Sequence, residues 1–130
     1  MIRHLIRQLK HKIYHTKTKN KRSSQWDEVR DAFAEKNPTC AVCKSDKKLQ
    51  IHHCVPFHHD SSLELDPENL ISLCMDKFDC HIQIGHGDNF KFYNENVRQD
   101  AEMLINTPAD QFNTKFKEVA ATAKKNRKVN

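Results

Sequence analysis

Ile2, Leu5, Ile6, Leu9 and Ile13 recur at helical spacing, so residues 2–14 are expected to form an amphipathic helix with Arg, Lys and His on its polar face. Residues 15–22, HTKTKNKR, contain no apolar side chain and read as a flexible basic linker. A second helical period places Trp26, Val29, Arg30 and Phe33 on one side. Ser23 or Ser24 can cap this helix, and Asn37 with Pro38 ends it after Lys36. The pattern then changes. Leu49, Ile51 and the residues through Val55 suggest a short strand stopped by Pro56, and NLISLC at 69–74 suggests another. A short helix is expected after Cys80. Helical spacing returns over 97–106 and 108–126, the latter opened by Thr107 as cap and Pro108 at the first position, with Phe112, Phe116, Val119 and Ala123 on one face. No internal repeat or low-complexity tract occurs. The predicted class is α+β: a basic helix and linker over 1–22, a small two-stranded core over 23–97, and C-terminal helices with a basic tail over 98–130.

The 130 residues suit one compact domain with appended helices, and a domain of that size has a modest core. Hydrophobic residues make up 37% and mean hydropathy is −0.84, which leaves nothing for a membrane span; two glycines are too few for a Gly-rich phosphate loop. Charges interrupt the apolar residues of MIRHLIRQLKHK every few positions, unlike a signal peptide. A cytoplasmic location is therefore expected, with the five cysteines as thiols and their paired spacing pointing to metal.

Charge is segregated. Residues 1–22 hold eight Lys/Arg and no acid, and residues 111–130 hold six Lys/Arg against Glu118 alone, so the two ends sum to +13. Residues 23–110 carry −8. A polyphosphate partner such as DNA would be gripped by the ends, through Arg3, Arg7 and Lys10 at one and Lys124, Lys125, Arg127 and Lys128 at the other. The Ile/Leu face of the first helix is left for a partner helix or a second subunit.

Cys40 and Cys43 form a CxxC pair, and Cys74 and Cys80 form a second, wider pair after thirty intervening residues. A tight CxxC turn delivers two thiolates to one ion, and a second pair closes a tetrahedral zinc site with no open position. Such an ion adds on the order of 10 kcal/mol of folding free energy to a thin core. A redox CxxC is the competing reading, but the strand expected before it is missing. Cys54 reads as a small buried hydrophobe.

QIHHCVPFHH holds four histidines in ten residues. Neighbours on a strand point to opposite faces, so His52 and His53 need different tasks: one facing a metal, the other facing substrate as a proton acceptor. Later ligands are available in CHIQIGH, as His81 and His86, and Asn69 can brace a loop through its amide. His58 and His59, in a polar loop, read as solvated or touching DNA. Asp60, Glu64, Asp66 and Glu68 read as an acidic surface turn.

Taken together, LQIHHCVPF, LELDPENLISLC and CHIQIGH resemble the HNH endonuclease family, over about residues 23–97. The resemblance implies a ββα-metal core, in which two antiparallel strands and a helix surround one divalent ion, and hydrolysis of DNA to 5'-phosphate and 3'-hydroxyl ends. Carried onto this sequence, His53 resembles the general base, His52 and His81 the metal ligands, and Asn69 the residue bracing the loop between the strands. Related nucleases often place a further ligand four residues after the final histidine; that position is Gly85 here, and His86 stands five residues on as a candidate ligand. Imidazoles alone do not select the ion, so Mg²⁺, Mn²⁺, Ni²⁺ and Zn²⁺ all remain open beside the structural Zn²⁺. The expected function is a phage or bacterial DNA endonuclease, and the alternative is a non-catalytic zinc module that binds nucleic acid.

Overall fold

The computed structural model describes residues 22–130; the expected helix at 2–14, with Arg3, Arg7 and Lys10, lies outside the described residues. The described chain is a small α+β fold with two short antiparallel sheets. Helix α1 (Trp26–Lys36) is followed by strands β1 (Leu49–His53) and β2 (Leu70–Cys74), then by a π-helical turn at His81–Gly85. Strand β3 (Phe92–Tyr93), helices α2 (Val97–Ile105) and α3 (Ala109–Asn126), and strand β4 (Lys128–Val129) complete it.

β1 pairs with β2 antiparallel, Leu49 opposite Cys74 and His53 opposite Leu70. Alternation then divides the sheet's contacts. Gln50 and His52 turn towards the π turn, where both meet His81. Ile51 and His53 turn the other way, Ile51 packing with Val29, Leu65 and Leu70 and His53 lying against Trp26. Every residue of β2 is buried because both faces of the sheet are covered. The larger core joins Ile71, Leu73 and Ile84 to Val97, Ala101 and Leu104 of α2 and Phe116 and Val119 of α3, and it includes Cys40, Cys74 and Cys80. Among the described residues no helix is long and apolar enough to cross a membrane.

Element boundaries differ from the pattern where side chains compete for the backbone. β1 stops at His53 because the Asn69 amide takes both polar groups of Val55: Oδ1 accepts from its N–H at 2.8 Å and Nδ2 donates to its carbonyl at 3.0 Å. The Ser23 hydroxyl accepts from Gln25 N–H in the turn ahead of α1, so the helix begins at Trp26 without a side-chain cap. Thr107 does not cap α3. Its hydroxyl donates to Met103 O and closes α2, and Pro108 takes the cap position.

The acidic surface turn is corrected at one position. Glu64 is 4% exposed, and its carboxylate accepts from Ser23 N–H and from Arg22 Nε at 2.7 Å, tying the segment before α1 to the loop between the strands. Arg22 lies over the rings of Trp26 and Phe57 while keeping this pair. Replacing Glu64 with Ala strands the buried Ser23 N–H, because Arg22, half-exposed, can turn to water. Glu64→Ala should cost about 1 to 3 kcal/mol in urea denaturation, whereas a loss of a few tenths would mean that the carboxylate has no structural role.

Candidate metal centres

Two clusters of ligand-type side chains flank the junction of β2 with the π turn. The first joins Cys40, Cys43, Cys74 and Cys80, whose Sγ atoms all lie within 4.8 Å of one another. Backbone geometry builds the tight pair: Lys44 N–H donates to Cys40 O, Cys40 N–H donates to Ser45 O, and Val42 N–H points at Cys40 Sγ at 3.4 Å. This turn requires Lys44 at φ +67°, a left-handed conformation that a non-glycine residue adopts only when its surroundings impose it. The wide Cys74–Cys80 gap is absorbed by a second reversal. Asp79 N–H donates to Asp76 O, Asp79 is left-handed at φ +48°, and Asp76 is held by the Ser45 hydroxyl. Cys80 therefore returns to the cluster at the start of the π turn.

Cys40, Cys74 and Cys80 are fully buried, and Cys43 partly so. As bare thiols they do not ionise together. The Cys80 thiol donates towards Cys40, which lowers Cys40 to about 5 and holds the Cys80 proton on. Burial pushes Cys43 up to about 12. Four thiolates coexist at this spot only around a cation. At a Zn–S distance of about 2.3 Å a tetrahedral site has S···S edges of about 3.8 Å, and the 3.5 Å between Cys43 and Cys74 is close to that edge. The group can hold a structural metal such as zinc.

The second cluster joins His52, His81 and His86. His52 Nδ1 lies 3.1 Å from His81 Nε2, which lies 3.2 Å from His86 Nε2. The outer nitrogens fix the tautomers. His81 Nδ1–H donates to Gln50 Oε1 at 2.9 Å, and His86 Nδ1–H donates to Phe92 O at 2.7 Å. Both Nε2 atoms are thus bare lone pairs facing one another. Burial lowers His81 to about 4, lowers His52 well below its ordinary value and lowers His86, so the three rings are neutral near pH 7. Adding a proton to His52 Nδ1 quiets one contact and leaves the His81–His86 contact unbridged. Such convergence of lone pairs is favourable around a cation, and metal–nitrogen bonds of about 2.0 to 2.1 Å give tetrahedral N···N edges of about 3.3 to 3.4 Å. The donor set fits a divalent ion. Phe90, 48% exposed, rests its ring against His81 and His86.

His86 joins this group because of the π turn. Five residues from His81 is off the face of an α-helix, but a turn that hydrogen-bonds i to i+5 brings the pair together. Gly85 is excluded as a ligand and needed as a gap: a Cβ there would lie 3.2 Å from His52 Cε1 and 3.1 Å from Leu73 Cδ1. Two residues with roles here escaped the sequence reading. Gln50 was detectable, since period two puts it on the His52 face of β1. Asn94 carried no local signal, yet it is buried, its Nδ2 donates to Ile84 O and Asp100 Oδ2, and its N–H donates to Gly85 O.

His53 stands apart. Its Nε2–H donates to Glu64 O at 2.9 Å, which leaves Nδ1 as the lone-pair nitrogen, and its ring packs on Trp26 at 4.5 Å. Burial lowers its pKa. Asn69 braces the loop from 54 to 68 by its contacts to Val55 and by donating to Leu63 O. Cys54 is half-buried and accepts from Arg98, and burial raises its pKa. His58 is exposed, whereas His59, also exposed, donates to Val129 O at 2.8 Å. In the basic tail Lys125 and Lys128 are exposed, Lys124 pairs with Asp88 at 3.5 Å, and Arg127 turns inward. Comparison with protein-family models, curated proteins and solved structures returned no match, so the site is read from its own geometry.

Two independent centres predict two equivalents of bound metal per chain. Cys40→Ser should remove the tightly held equivalent and unfold the core, because the structural site supplies folding free energy. His81→Ala should leave the first equivalent and the circular dichroism spectrum intact while removing the second. Metal analysis after gel filtration checks both, and one equivalent in the native chain would contradict the pair.

Proposed function

We propose that the chain is a metal-dependent endonuclease of HNH type, hydrolysing phosphodiester bonds in DNA. The observation that carries this reading is the division of two adjacent β1 residues, with His52 in a three-imidazole cluster and His53 on the other face with one nitrogen fixed by a backbone carbonyl. The antiparallel β1–β2 pair followed by the π turn supports a ββα-metal arrangement, with the turn in place of the first part of the helix.

Phosphodiester hydrolysis needs a base for the attacking water and positive charge for the departing 3' oxygen. His53 is the proposed base. The Glu64 carbonyl holds its Nε2–H, so Nδ1 is the nitrogen that takes the proton from water. A divalent ion held by His52 Nδ1, His81 Nε2 and His86 Nε2 would supply charge to a phosphate oxygen and the leaving oxygen. Gln50 and the Phe92 carbonyl keep two of those imidazoles in the ligating tautomer. Asn69 keeps the loop that carries Glu64 in register with β1, and so acts on His53 through that loop. The structural thiolate site fixes Cys80 and with it the neighbouring His81.

The test is supercoiled plasmid incubated with the purified protein across Mg²⁺, Mn²⁺, Ni²⁺ and Zn²⁺, with EDTA as control. Nicked or linear products with 5'-phosphate ends are expected, and they should vanish with EDTA. His53→Ala should reduce the rate at least about 100-fold, the range of a lost general base, with both metal equivalents retained. His52→Ala and His81→Ala should lose activity together with the second equivalent. A fully active His53→Ala rejects the assignment, and DNA binding without cleavage under any ion favours the non-catalytic module instead.

A further inference from the structure

Arg127, which charge alone would send outward to phosphate, is used inside the fold. Its guanidinium lies 3.9 Å over the Phe92 ring, and its Nη1 donates to Gly87 O at 2.9 Å. Both partners flank His86. Phe92 O accepts from His86 Nδ1, and Gly87 is the next residue in the chain. The loop and the end of α3 meet without room between them: a Cβ on Gly87 would lie 2.9 Å from Ala123 O and 3.0 Å from Arg127 Cβ, and Gly87 itself is left-handed at φ +58°.

The residues after Arg127 hold the same strand from its other side. β4 pairs antiparallel with β3, Val129 opposite Phe92 and Lys128 opposite Tyr93, and Asn130 N–H donates to Lys91 O. His59 closes the arrangement from the loop between the strands, donating to Val129 O with its ring 5.1 Å from Tyr93. The carbonyl that fixes the His86 tautomer therefore sits in a two-residue strand whose sheet partner is β4.

We propose that Arg127 and β4 form a clamp that positions His86 and thereby sets the metal affinity of the histidine centre. This rests on the reading of His52, His81 and His86 as ligands of one divalent ion. The clamp acts through Phe92 and Gly87, and it touches none of the four cysteines among its contacts. Metal at the histidine centre and order in residues 127–130 are then coupled, so each strengthens the other.

The full chain, with zinc at the thiolates, is titrated with Co²⁺, whose thiolate charge-transfer bands report any exchange at the cysteine centre. Arg127→Ala should weaken Co²⁺ binding at the histidine centre about 10-fold or more, the scale of a lost outer-shell partner, while zinc content at the thiolates stays at one. Arg127→Lys, which keeps the cation, should recover part of the loss. Lys117→Ala, an exposed charge removed from α3, should change nothing. Unchanged Co²⁺ affinity in Arg127→Ala, or an equal loss in Lys117→Ala, overturns the clamp. A wild-type chain that takes no Co²⁺ beyond the thiolate site, or takes it equally well as His81→Ala, overturns the histidine centre itself. If Arg127→Ala does not fold, hydrogen exchange on the wild-type chain decides: Co²⁺ should slow the Asn130 amide, which donates to Lys91 O, and an unaltered rate rejects the coupling.

Discussion

The structure depends on the gathering of four cysteine sulfurs from three separate pieces of chain. The CxxC turn precedes β1, Cys74 ends β2 and Cys80 opens the π turn, so a single ion at their centre would tie the sheet to everything that follows it. The surrounding residues are already committed to that junction: Lys44 and Asp79 both occupy left-handed backbone conformations in its two turns, and Cys40, Cys74 and Cys80 are fully buried. Without a cation, burial and the neighbouring sulfurs hold Cys43 and Cys80 back from the thiolate form that a metal needs. With a cation the same crowding becomes coordination. His81 follows Cys80 directly, so the rigidity of the first centre is passed to the second across one peptide bond.

The histidine centre shows how a local backbone choice decides chemistry. An α-helical turn after Cys80 would carry a residue four positions on towards His81, and that residue is Gly85. The π turn advances the matching position by one, brings in His86, and leaves Gly85 where only a hydrogen fits beside His52 and Leu73. Asn94 supports this geometry from outside by binding Ile84 O and Gly85 O, the carbonyls that the turn leaves free at its end. The π register and the glycine are therefore one feature, since neither permits the third imidazole without the other.

Much of this was legible in the sequence because it depends on period and spacing. Alternation along β1 separated His52 from His53, the paired cysteines foretold a common cluster, and Trp26, Val29 and Phe33 lie on the face of α1 that packs over Leu65 and Leu70. Features that depend on long-range contact were not legible. Glu64 reads as one of four surface acids until the fold brings Ser23 N–H to it across forty-one positions. His59 looks solvated until Val129 arrives across seventy. The basic tail reads as a uniform run of charge, yet Lys124 pairs with Asp88 and Arg127 turns inward while Lys125 and Lys128 stay exposed. Composition counts charges and does not say which are consumed by the fold.

The two centres also differ in what they leave open, and this follows from their ligands. Four sulfurs saturate a tetrahedral ion, so a metal at the cysteine cluster has no position for water or substrate. Three imidazoles do not saturate one, and their neutral nitrogens leave the full charge of a divalent ion to act on whatever fills the remaining positions. The protein separates these properties by ligand type, because both clusters are largely buried. The cysteines lie within the core shared by β2, α2 and α3, and the histidines pack beside it with His52 and His81 buried and Phe90 half-exposed against His81 and His86. Exchanging the two sets of ligands would change what each ion could do. Thiolates at the histidine position would cancel the charge of a bound divalent ion, whereas three neutral imidazoles leave it intact. Cysteine at 80 and histidine at 81 thus place, one residue apart, a donor set that would close the coordination of an ion and a donor set that would leave it incomplete.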